Sequence, residues 1–226
     1  MKIAVFGKGK TGSKVIEKLN ALNIPYIVFD SVFLPNPESL KDIDVVISFV
    51  PGDVLERFFP MFIENRKNMV IGSTGFNWPS NIEQTLVDNK LTWIYSSNFS
   101  MGMAIIKNII ELLSSAEDLL GEATYSIHEV HHTKKLDSPS GTALSWQKWL
   151  NKKVAITSER TGDVQGYHEI KIETPTEDIL LSHNVKDRMI FADGAIFAAK
   201  KIVTDANSTS KGLINFFDLI KNNLKT

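Results

Sequence analysis

Short apolar runs alternate with amphipathic segments through the first hundred residues of the chain. Five runs are apolar enough to form buried strands: 1–6, 26–29, 44–50, 68–72 and 91–95. Between them, apolar residues recur at the spacing of an amphipathic helix over 13–20, 54–65 and 82–89. Repeated strand–helix units predict an α/β fold whose strands form a parallel sheet with right-handed crossovers.

The pattern changes after about Met101. Residues 103–120 predict one long amphipathic helix, and residues 143–150 predict a shorter one. Strict alternation of apolar and polar residues is typical of a sheet with one packed and one open face, and it occurs at 124–131, 168–173 and 178–183. The remaining predictions are a helix at 193–203, a polar linker at 205–212 and an amphipathic helix at 213–224.

Composition excludes several classes of function. A net charge of −1 gives no electrostatic reason to expect nucleic acid or a membrane surface as a partner. The chain has no cysteine, so disulfides, thiolate metal sites and cysteine nucleophiles are absent, and no metal site is predicted. No window approaches the ~18 apolar residues of a membrane helix. We therefore expect a soluble, cytoplasmic protein.

A glycine-rich loop links the first strand to the first helix. It consists of Gly7, Lys8, Gly9, Lys10, Thr11 and Gly12. In this position the first glycine allows the turn, the second a close approach of pyrophosphate, and the third close packing of helix on strand. The second strand ends in Asp30, whose carboxylate can accept hydrogen bonds from adenosine ribose hydroxyls. These features predict a dinucleotide coenzyme, NADH or NADPH.

Small polar residues follow two further strands of the predicted sheet. They are Gly72, Ser73, Thr74, Ser97 and Asn98. Ligands of parallel sheets bind at the carboxyl ends of the strands, so these residues are candidates for contact with the coenzyme. Each of them can also serve only as a turn residue.

Residues 129–142 carry the candidate chemistry. His131 and His132 lie close to Lys135, and Ser140, Gly141 and Thr142 then precede a predicted helix. Free backbone N–H groups at a helix start bind anions, lysine adds positive charge, and histidine transfers protons near neutral pH. The combination predicts a pocket for a carboxylate substrate that is protonated during the reaction. The alternative is a basic surface loop before an ordinary helix.

The stretch Glu-x-His-His-x-x-Lys-x-Asp-x-Pro-Ser-Gly-Thr at 129–142 resembles the signature of the dihydrodipicolinate reductase family. The similarity covers nearly the whole chain, with further matching segments at 7–12, 70–76, 97–103, 160–168 and 188–195. The chain departs from the family pattern at several positions, among them Thr11, Ala104 and Ser138.

The resemblance implies a Rossmann-type parallel-sheet domain over 1–102 and 207–226. An inserted α+β substrate domain over 103–206 would carry an open mixed sheet, through which the family assembles as a homotetramer. The active site would close between the two domains, with hinges after Met101 and before Lys211. The substrate would be a small dicarboxylate, reduced in diaminopimelate and lysine biosynthesis.

The resemblance also implies roles for individual residues. His131 would be the acid or base, Lys135 its partner, and His132 a substrate ligand together with Ser140, Gly141 and Thr142. The loops at Gly72, Ser73 and Thr74 and at Ser96, Ser97, Asn98 and Phe99 would contact the nicotinamide side of the coenzyme. Asp30 repels a 2′-phosphate, so NADH is expected to be favoured over NADPH.

Two other functions share part of this pattern. Another nicotinamide dehydrogenase, of the amino-acid dehydrogenase type, would have the glycine loop but not the His-His-x-x-Lys and Ser-Gly-Thr motifs. A catalytically silent dinucleotide sensor would need no protonating histidine. The remaining histidines, His128, His168 and His183, are interpreted as structural.

Overall fold

The apolar runs of the amino-terminal half form a parallel sheet. The computed structural model describes residues 1–205 and 210–224, and the chain divides into two units, 1–101 with 189–226 and 102–188. The strands of the first unit are β1 (Ile3–Phe6), β2 (Tyr26–Phe29), β3 (Val45–Ser48), β4 (Asn68–Ile71), β5 (Thr92–Tyr95) and β10 (Gly212–Asn215). All are parallel, in the order β10-β5-β4-β3-β1-β2. The predicted Rossmann-type sheet is confirmed.

The helices of the first unit are α1 (Lys10–Ala21), α2 (Pro37–Leu40), α3 (Gly52–Glu64), α4 (Ile82–Asp88), α8 (Met189–Thr204) and α9 (Phe216–Asn223). Strands β1 and β3 are buried along their whole length, which explains their continuous apolar sequences. Aromatic side chains fill the core between the sheet and α3. The ring centroid of Phe59 lies 5.3 Å from that of Trp93 and 5.7 Å from that of Trp78.

The second unit contains a mixed sheet of four strands. Its elements are α5 (Met101–Ser115), which begins at the junction, α6 (Glu117–Leu120), β6 (Thr124–His131), α7 (Gly141–Leu150), β7 (Ala155–Arg160), β8 (Tyr167–Glu173) and β9 (Asp178–Asn184). The order is β7-β6-β8-β9, with β7 parallel to β6 and the other pairs antiparallel. One face buries Ile127, Ile170 and Ile172. The predicted mixed sheet with one packed face is confirmed.

Three local predictions differ from the structure. The helix predicted over 103–120 is two helices, because the chain leaves helical geometry at Ala116. Strand β7 was not predicted, because it is an edge strand whose sequence, Ala-Ile-Thr-Ser-Glu-Arg, has little apolar alternation. The helix predicted from residue 213 begins at Phe216, because residues 212–215 pair with β5 as an additional strand.

The chain returns to the first unit at Met189, earlier than the boundary predicted at 207. Helix α8 packs against α1 and against strands β3 and β4, and Lys18 Nζ lies 2.8 Å from Asp193 Oδ1. These contacts place the whole of α8 with the parallel sheet. The boundary at 206/207 and most of the linker predicted at 205–212 lie outside the described residues.

Two glycines of the glycine loop differ in how closely neighbouring atoms pack against them. A Cβ added to Gly12 would lie 1.9 Å from the carbonyl oxygen of Gly7, whereas a Cβ on Gly9 would meet no atom within 4 Å. We predict that Gly12→Ala lowers the free energy of unfolding by about 2 kcal/mol or more, because backbone must move. Gly9→Ala, the matched control, should change it by less than about 1 kcal/mol. Urea denaturation measures both, and equal midpoints for the two variants would contradict the prediction.

Candidate active site

The site is built around a buried carboxylate on β6. Side chains alternate along a strand, so Glu129 and His131, two residues apart, point to the same packed face of the sheet. Glu129 is 0% exposed and His131 is 7% exposed. His128 lies on the other face, where its Nδ1 is 2.8 Å from Thr157 Oγ1 of β7.

One oxygen of Glu129 accepts three hydrogen bonds from two elements. Oε1 accepts from the Ser140 backbone N–H at 2.9 Å, from the Ser158 hydroxyl at 2.8 Å and from Arg160 Nη2 at 3.0 Å. Oε2 lies 3.2 Å from His131 Nδ1 and 3.6 Å from His168 Nε2. Within the described residues, Oε2 has no partner of full hydrogen-bond geometry. We call these six residues, Glu129, His131, Ser140, Ser158, Arg160 and His168, the Glu129 cluster.

Glu129 is ionised in this environment. Burial by itself raises the pKa of its carboxyl group, because the charged form loses water. The hydrogen bonds from Ser140, Ser158 and Arg160 outweigh burial and lower the pKa to about 2. The Glu129 cluster therefore contains a buried negative charge beside two imidazole rings.

The two histidines of the cluster lie edge to face, with ring centroids 4.9 Å apart. Burial lowers the pKa of His131, and the nearby Glu129 charge acts in the opposite direction. Burial, together with His131, lowers the pKa of His168 to about 3, so this ring is neutral at physiological pH. His168 Nε2 lies 3.1 Å from Ser140 Oγ, which connects the ring to the start of α7.

The start of α7 differs from the prediction of three free backbone N–H groups, because that of Ser140 donates to Glu129 Oε1 and that of Gly141 to the Asp137 carboxylate. Ser140 is the N-cap, and its hydroxyl oxygen accepts from the Ala143 backbone N–H at 3.2 Å. Gly141 and Thr142 form the first turn, whose backbone N–H groups carry the positive end of the helix dipole. The structure thus brings Ser140, predicted as a substrate ligand, together with His131.

Lys135 lies in the loop between β6 and α7. Its Nζ is 2.8 Å from Asp137 Oδ1, and this bond lowers the pKa of Asp137, to which the Gly141 backbone N–H also contributes. The Lys135 ammonium is therefore already paired with a carboxylate of the same chain, that of Asp137. His132 is half-buried, and its Nδ1 has no hydrogen-bond partner in the described part of the chain.

In the first unit, Asp30 ends β2 and faces the glycine loop. Lys8 Nζ lies 2.5 Å from Asp30 Oδ2, while Oδ1 accepts from the Val32 and Phe33 backbone N–H groups. Lys8 and these amides lower the pKa of Asp30 to about 2. Gly9 is the N-cap of α1, and Lys10, Thr11 and Gly12, which were predicted as loop before a helix at 13–20, form its first turn.

The remaining candidates for coenzyme contact follow β4 and β5. Gly72, Ser73 and Thr74 follow β4, and the Ser73 hydroxyl is 3.2 Å from that of Ser48. Ser96, Ser97, Asn98 and Phe99 follow β5. The Phe99 ring is 1% exposed and packs 4.7 Å from Phe216, so this side chain belongs to the core.

Glu129, His131 and His168 are also of a type that binds metals, and their nearest ligand atoms lie within 4.8 Å of one another. However, the Arg160 guanidinium already neutralises the carboxylate at 3.0 Å. A divalent cation beside a guanidinium would be electrostatically unfavourable. We therefore interpret the group as an ion-pair and hydrogen-bond cluster.

Part of the Glu129 cluster was not predicted from the sequence. His168 was interpreted as structural, yet it contacts Glu129, His131 and Ser140. Ser158 was missed together with strand β7. Glu129 and Arg160 were seen only as parts of matching segments. The available signal was the spacing of Glu129 and His131 on a strand, which points an acid and an imidazole to one face.

Comparisons with known proteins identify relatives over nearly the whole chain. The carboxyl-terminal domain model of dihydrodipicolinate reductase matches residues 102–220, and the amino-terminal domain model matches residues 31–99. The 4-hydroxy-tetrahydrodipicolinate reductase of Thermosipho africanus (strain TCF52B) is 31% identical over 223 residues, which cover 98% of each chain. That of Blochmanniella pennsylvanica (strain BPEN) is 33% identical over 218 residues, covering 82% of this chain and 74% of its own.

A solved structure shows the same fold. The dipicolinate-bound dihydrodipicolinate reductase from Paenisporosarcina sp. TG-14 superposes with a TM-score of 0.74 at 22% identity, over 95% of this chain and 97% of its own. In the described part of this chain, no helix combines the length and apolar character needed to cross a membrane.

The lowered pKa of His168 makes stability depend on pH. The unfolded chain binds a proton at this histidine below pH ~6.5, whereas the folded chain resists protonation until about pH 3. Stability is therefore lost as the pH falls below ~6.5. We predict that His168→Gln reduces the loss of unfolding free energy between pH 7 and pH 5 by up to roughly 2 kcal/mol. Urea denaturation at both pH values checks this.

The control is His128→Gln, on the half-exposed face of the same sheet. It should lose as much stability between the two pH values as the natural protein. The same loss in His168→Gln would show that His168 is not held neutral by the fold.

Proposed function

This chain belongs to the dihydrodipicolinate reductase family, and on that basis we propose that it reduces 4-hydroxy-tetrahydrodipicolinate to tetrahydrodipicolinate in diaminopimelate and lysine biosynthesis. The observation that carries the proposal is the Glu129 cluster, in which a protonatable His131 is linked to the anion-binding start of α7. The reaction needs both features, since a ring that carries two carboxylates loses its 4-hydroxyl as water and gains a hydride and a proton.

We assign the proton transfer to His131. Its imidazole is near enough to the Glu129 charge for the protonated form to be stabilised, although burial opposes this form. An acid whose pKa lies near the working pH is the most effective proton donor. Lys135 lies in the loop that follows the strand of His131. We assign to its ammonium the stabilisation of the negative charge that develops on the substrate.

We assign the substrate carboxylates to Lys135 and to the start of α7. The helix dipole and the backbone N–H groups of Gly141 and Thr142 favour an anion there, where the Asp137 carboxylate already accepts from the Gly141 N–H, and Ser140 orients the turn. The substrate carboxylate would compete with Asp137 for Lys135. The half-buried His132, whose Nδ1 has no partner among residues 1–205 and 210–224, is a further candidate ligand.

The coenzyme is NADH or NADPH, which supplies a hydride when bound. The residues that would hold it fit a dinucleotide, because the loop after β1 leaves open space above Gly9 and packs tightly at Gly12. The proposed site is completed by the acid at the end of β2 and by the loops after β4 and β5. These residues are Asp30, Gly72, Ser73, Thr74, Ser96, Ser97, Asn98 and the backbone of Phe99.

A homotetramer is also proposed, by likeness to the family. The exposed face of the second sheet supports a role in assembly, because it presents a continuous β-surface with Leu180 59% exposed.

The function is tested by substituting the proposed acid. We predict that His131→Gln lowers kcat by roughly 10²–10⁴-fold, since a positioned acid contributes about this much, with little change in coenzyme affinity. Turnover is followed by nicotinamide absorbance with freshly generated substrate. The matched control is His128→Gln, on the same strand but the opposite face, which should keep near-natural turnover.

Retention of more than half of the natural turnover in His131→Gln would exclude His131 as the proton donor. Absence of turnover in the natural protein with either coenzyme would contradict the proposed function itself.

We further predict a preference for NADH. The ionised Asp30 repels a 2′-phosphate, and its pairing with Lys8 weakens this repulsion without removing it. We expect kcat/KM to be severalfold higher with NADH, because a 2′-phosphate would meet the like charge of Asp30. Asp30→Asn should narrow or reverse this ratio, and Asp42→Asn, an exposed acid elsewhere in the unit, should not. A tenfold advantage for NADPH in the natural protein would overturn the assignment.

A further inference from the structure

We propose that Glu129 is a positioning residue for His131, which it holds with Nδ1 protonated and Nε2 free for proton transfer, and that it ties this ring to the substrate-binding turn through Ser140. The inference rests on the proposed function, in which His131 donates the proton. It assigns a role to a carboxylate outside the proposed substrate ligands.

The Glu129 carboxylate is held in one orientation by its hydrogen bonds. Its Oε1 is bonded to the Ser140 backbone N–H and to the side chains of Ser158 and Arg160, at 2.8–3.0 Å. Arg160 Nη2 also donates to the Asp137 carbonyl oxygen at 2.5 Å, so the same guanidinium holds the loop that carries Lys135. Three donors on one oxygen fix the direction of the other.

The other oxygen of Glu129, Oε2, faces His131 Nδ1. A carboxylate oxygen carries negative charge and only accepts hydrogen bonds, so a ring nitrogen 3.2 Å away is electrostatically favoured when it carries a proton, although this pair does not have full hydrogen-bond geometry. In the neutral ring, a proton on Nδ1 leaves Nε2 as the unprotonated nitrogen, and the catalytic proton is then gained and lost at Nε2. A Cβ on Gly166 would lie 3.3 Å from Nε2, so the absence of a side chain at this position leaves space beside that nitrogen.

Glu129 also affects the charge state of His131. The charged and titratable groups that face His131 are Glu129 on its own strand, Arg160 on β7, His168 on β8, and Lys135 and Asp137 in the following loop. Lys135 and Arg160 disfavour the imidazolium, whereas Glu129 and Asp137 favour it. Asp137 is 57% exposed at its side chain and is paired with Lys135, so Glu129 is the buried charge in contact with the ring. Without it, burial and the two cations would lower the pKa of His131 further.

The link to Ser140 gives the carboxylate a second effect. The residue whose N–H bonds Glu129 also caps α7 and lies 3.1 Å from His168 Nε2. A single carboxylate therefore sets the position of the proton donor relative to the turn proposed to bind the substrate carboxylate. Correct relative placement of reacting groups accounts for a large part of enzymatic rate enhancement.

The first experiment needs no activity and no variant of Glu129. Histidine side chains are labelled with ¹⁵N in the natural protein, and the His131 signals are assigned by their loss in His131→Gln. We expect neutral His131 to carry its proton on Nδ1. A neutral ring protonated on Nε2 would overturn the proposal. Because the measurement does not depend on turnover, it distinguishes failure of this inference from failure of the proposed function.

The second experiment replaces the charge while keeping the shape. Glu129→Gln retains an oxygen for Ser140, Ser158 and Arg160 but presents an amide N–H to His131 Nδ1. We expect the neutral ring to change to the Nε2-protonated form. We also expect kcat to fall by roughly 10–100-fold, at the low end for a positioned acid, with KM for substrate and coenzyme changed less than about threefold.

The pH profile separates positioning from a merely structural role. In Glu129→Gln, the limb of kcat/KM that reports protonated His131 should move to lower pH by about one unit or more, the usual effect of removing an adjacent opposite charge. Glu129→Asp should restore much of the shift because it restores the charge. Glu169→Gln, the same change on β8 outside the cluster, should leave the limb in place. A folded Glu129→Gln protein with an unmoved limb and reduced thermal stability would overturn the proposal in favour of a structural role.

Discussion

The buried negative charge of Glu129 is the constraint around which the second unit is organised. A carboxylate removed from water without compensation costs several kcal/mol, so it persists only where donors surround it. Here the donors come from the start of α7 and from strand β7, the otherwise weakly apolar edge of the sheet. Placement of that strand and of that helix start is therefore coupled to one side chain on β6. Loss of any of these donors leaves a buried charge less well satisfied.

Burial and the Glu129 charge together separate the behaviour of the two imidazoles. His168 is 3% exposed and faces the hydroxyl of Ser140, so its ring is held neutral and serves in packing and hydrogen bonding. His131 is nearer to the free oxygen of Glu129, where the loss of water and the attraction of the carboxylate act in opposite directions. Opposed effects of this kind are how a buried group keeps a pKa useful for proton transfer. The two histidines of the cluster thus differ because burial dominates at His168, whereas at His131 the carboxylate offsets more of it.

An ion pair has a comparable position in the first unit. Asp30 terminates β2 and is bonded by Lys8 from the glycine loop and by two backbone N–H groups of the next turn. The acid that we propose to discriminate between coenzymes is therefore already partly neutralised by a residue of the loop that binds pyrophosphate in Rossmann folds. This arrangement explains why a preference, and not exclusion, is the expected outcome. It also shows that the charge at the end of β2 has to be considered together with the loop that faces it.

The sequence by itself determined the elements whose causes are local. The parallel strands, the glycine loop and the N-cap at Ser140 were predicted because apolar periodicity, turn chemistry and capping depend on residues a few positions apart. Family resemblance extended this to the mixed second sheet and to His131 and Lys135. Tertiary structure alone decided what faces Glu129. Ser158, Arg160 and His168 lie about 30–40 positions along the chain and reach it only because β7 and β8 flank β6 in register. For the same reason β10 was mistaken for part of a helix: Leu213 and Ile214 suit either period, and only pairing with β5 selects the strand.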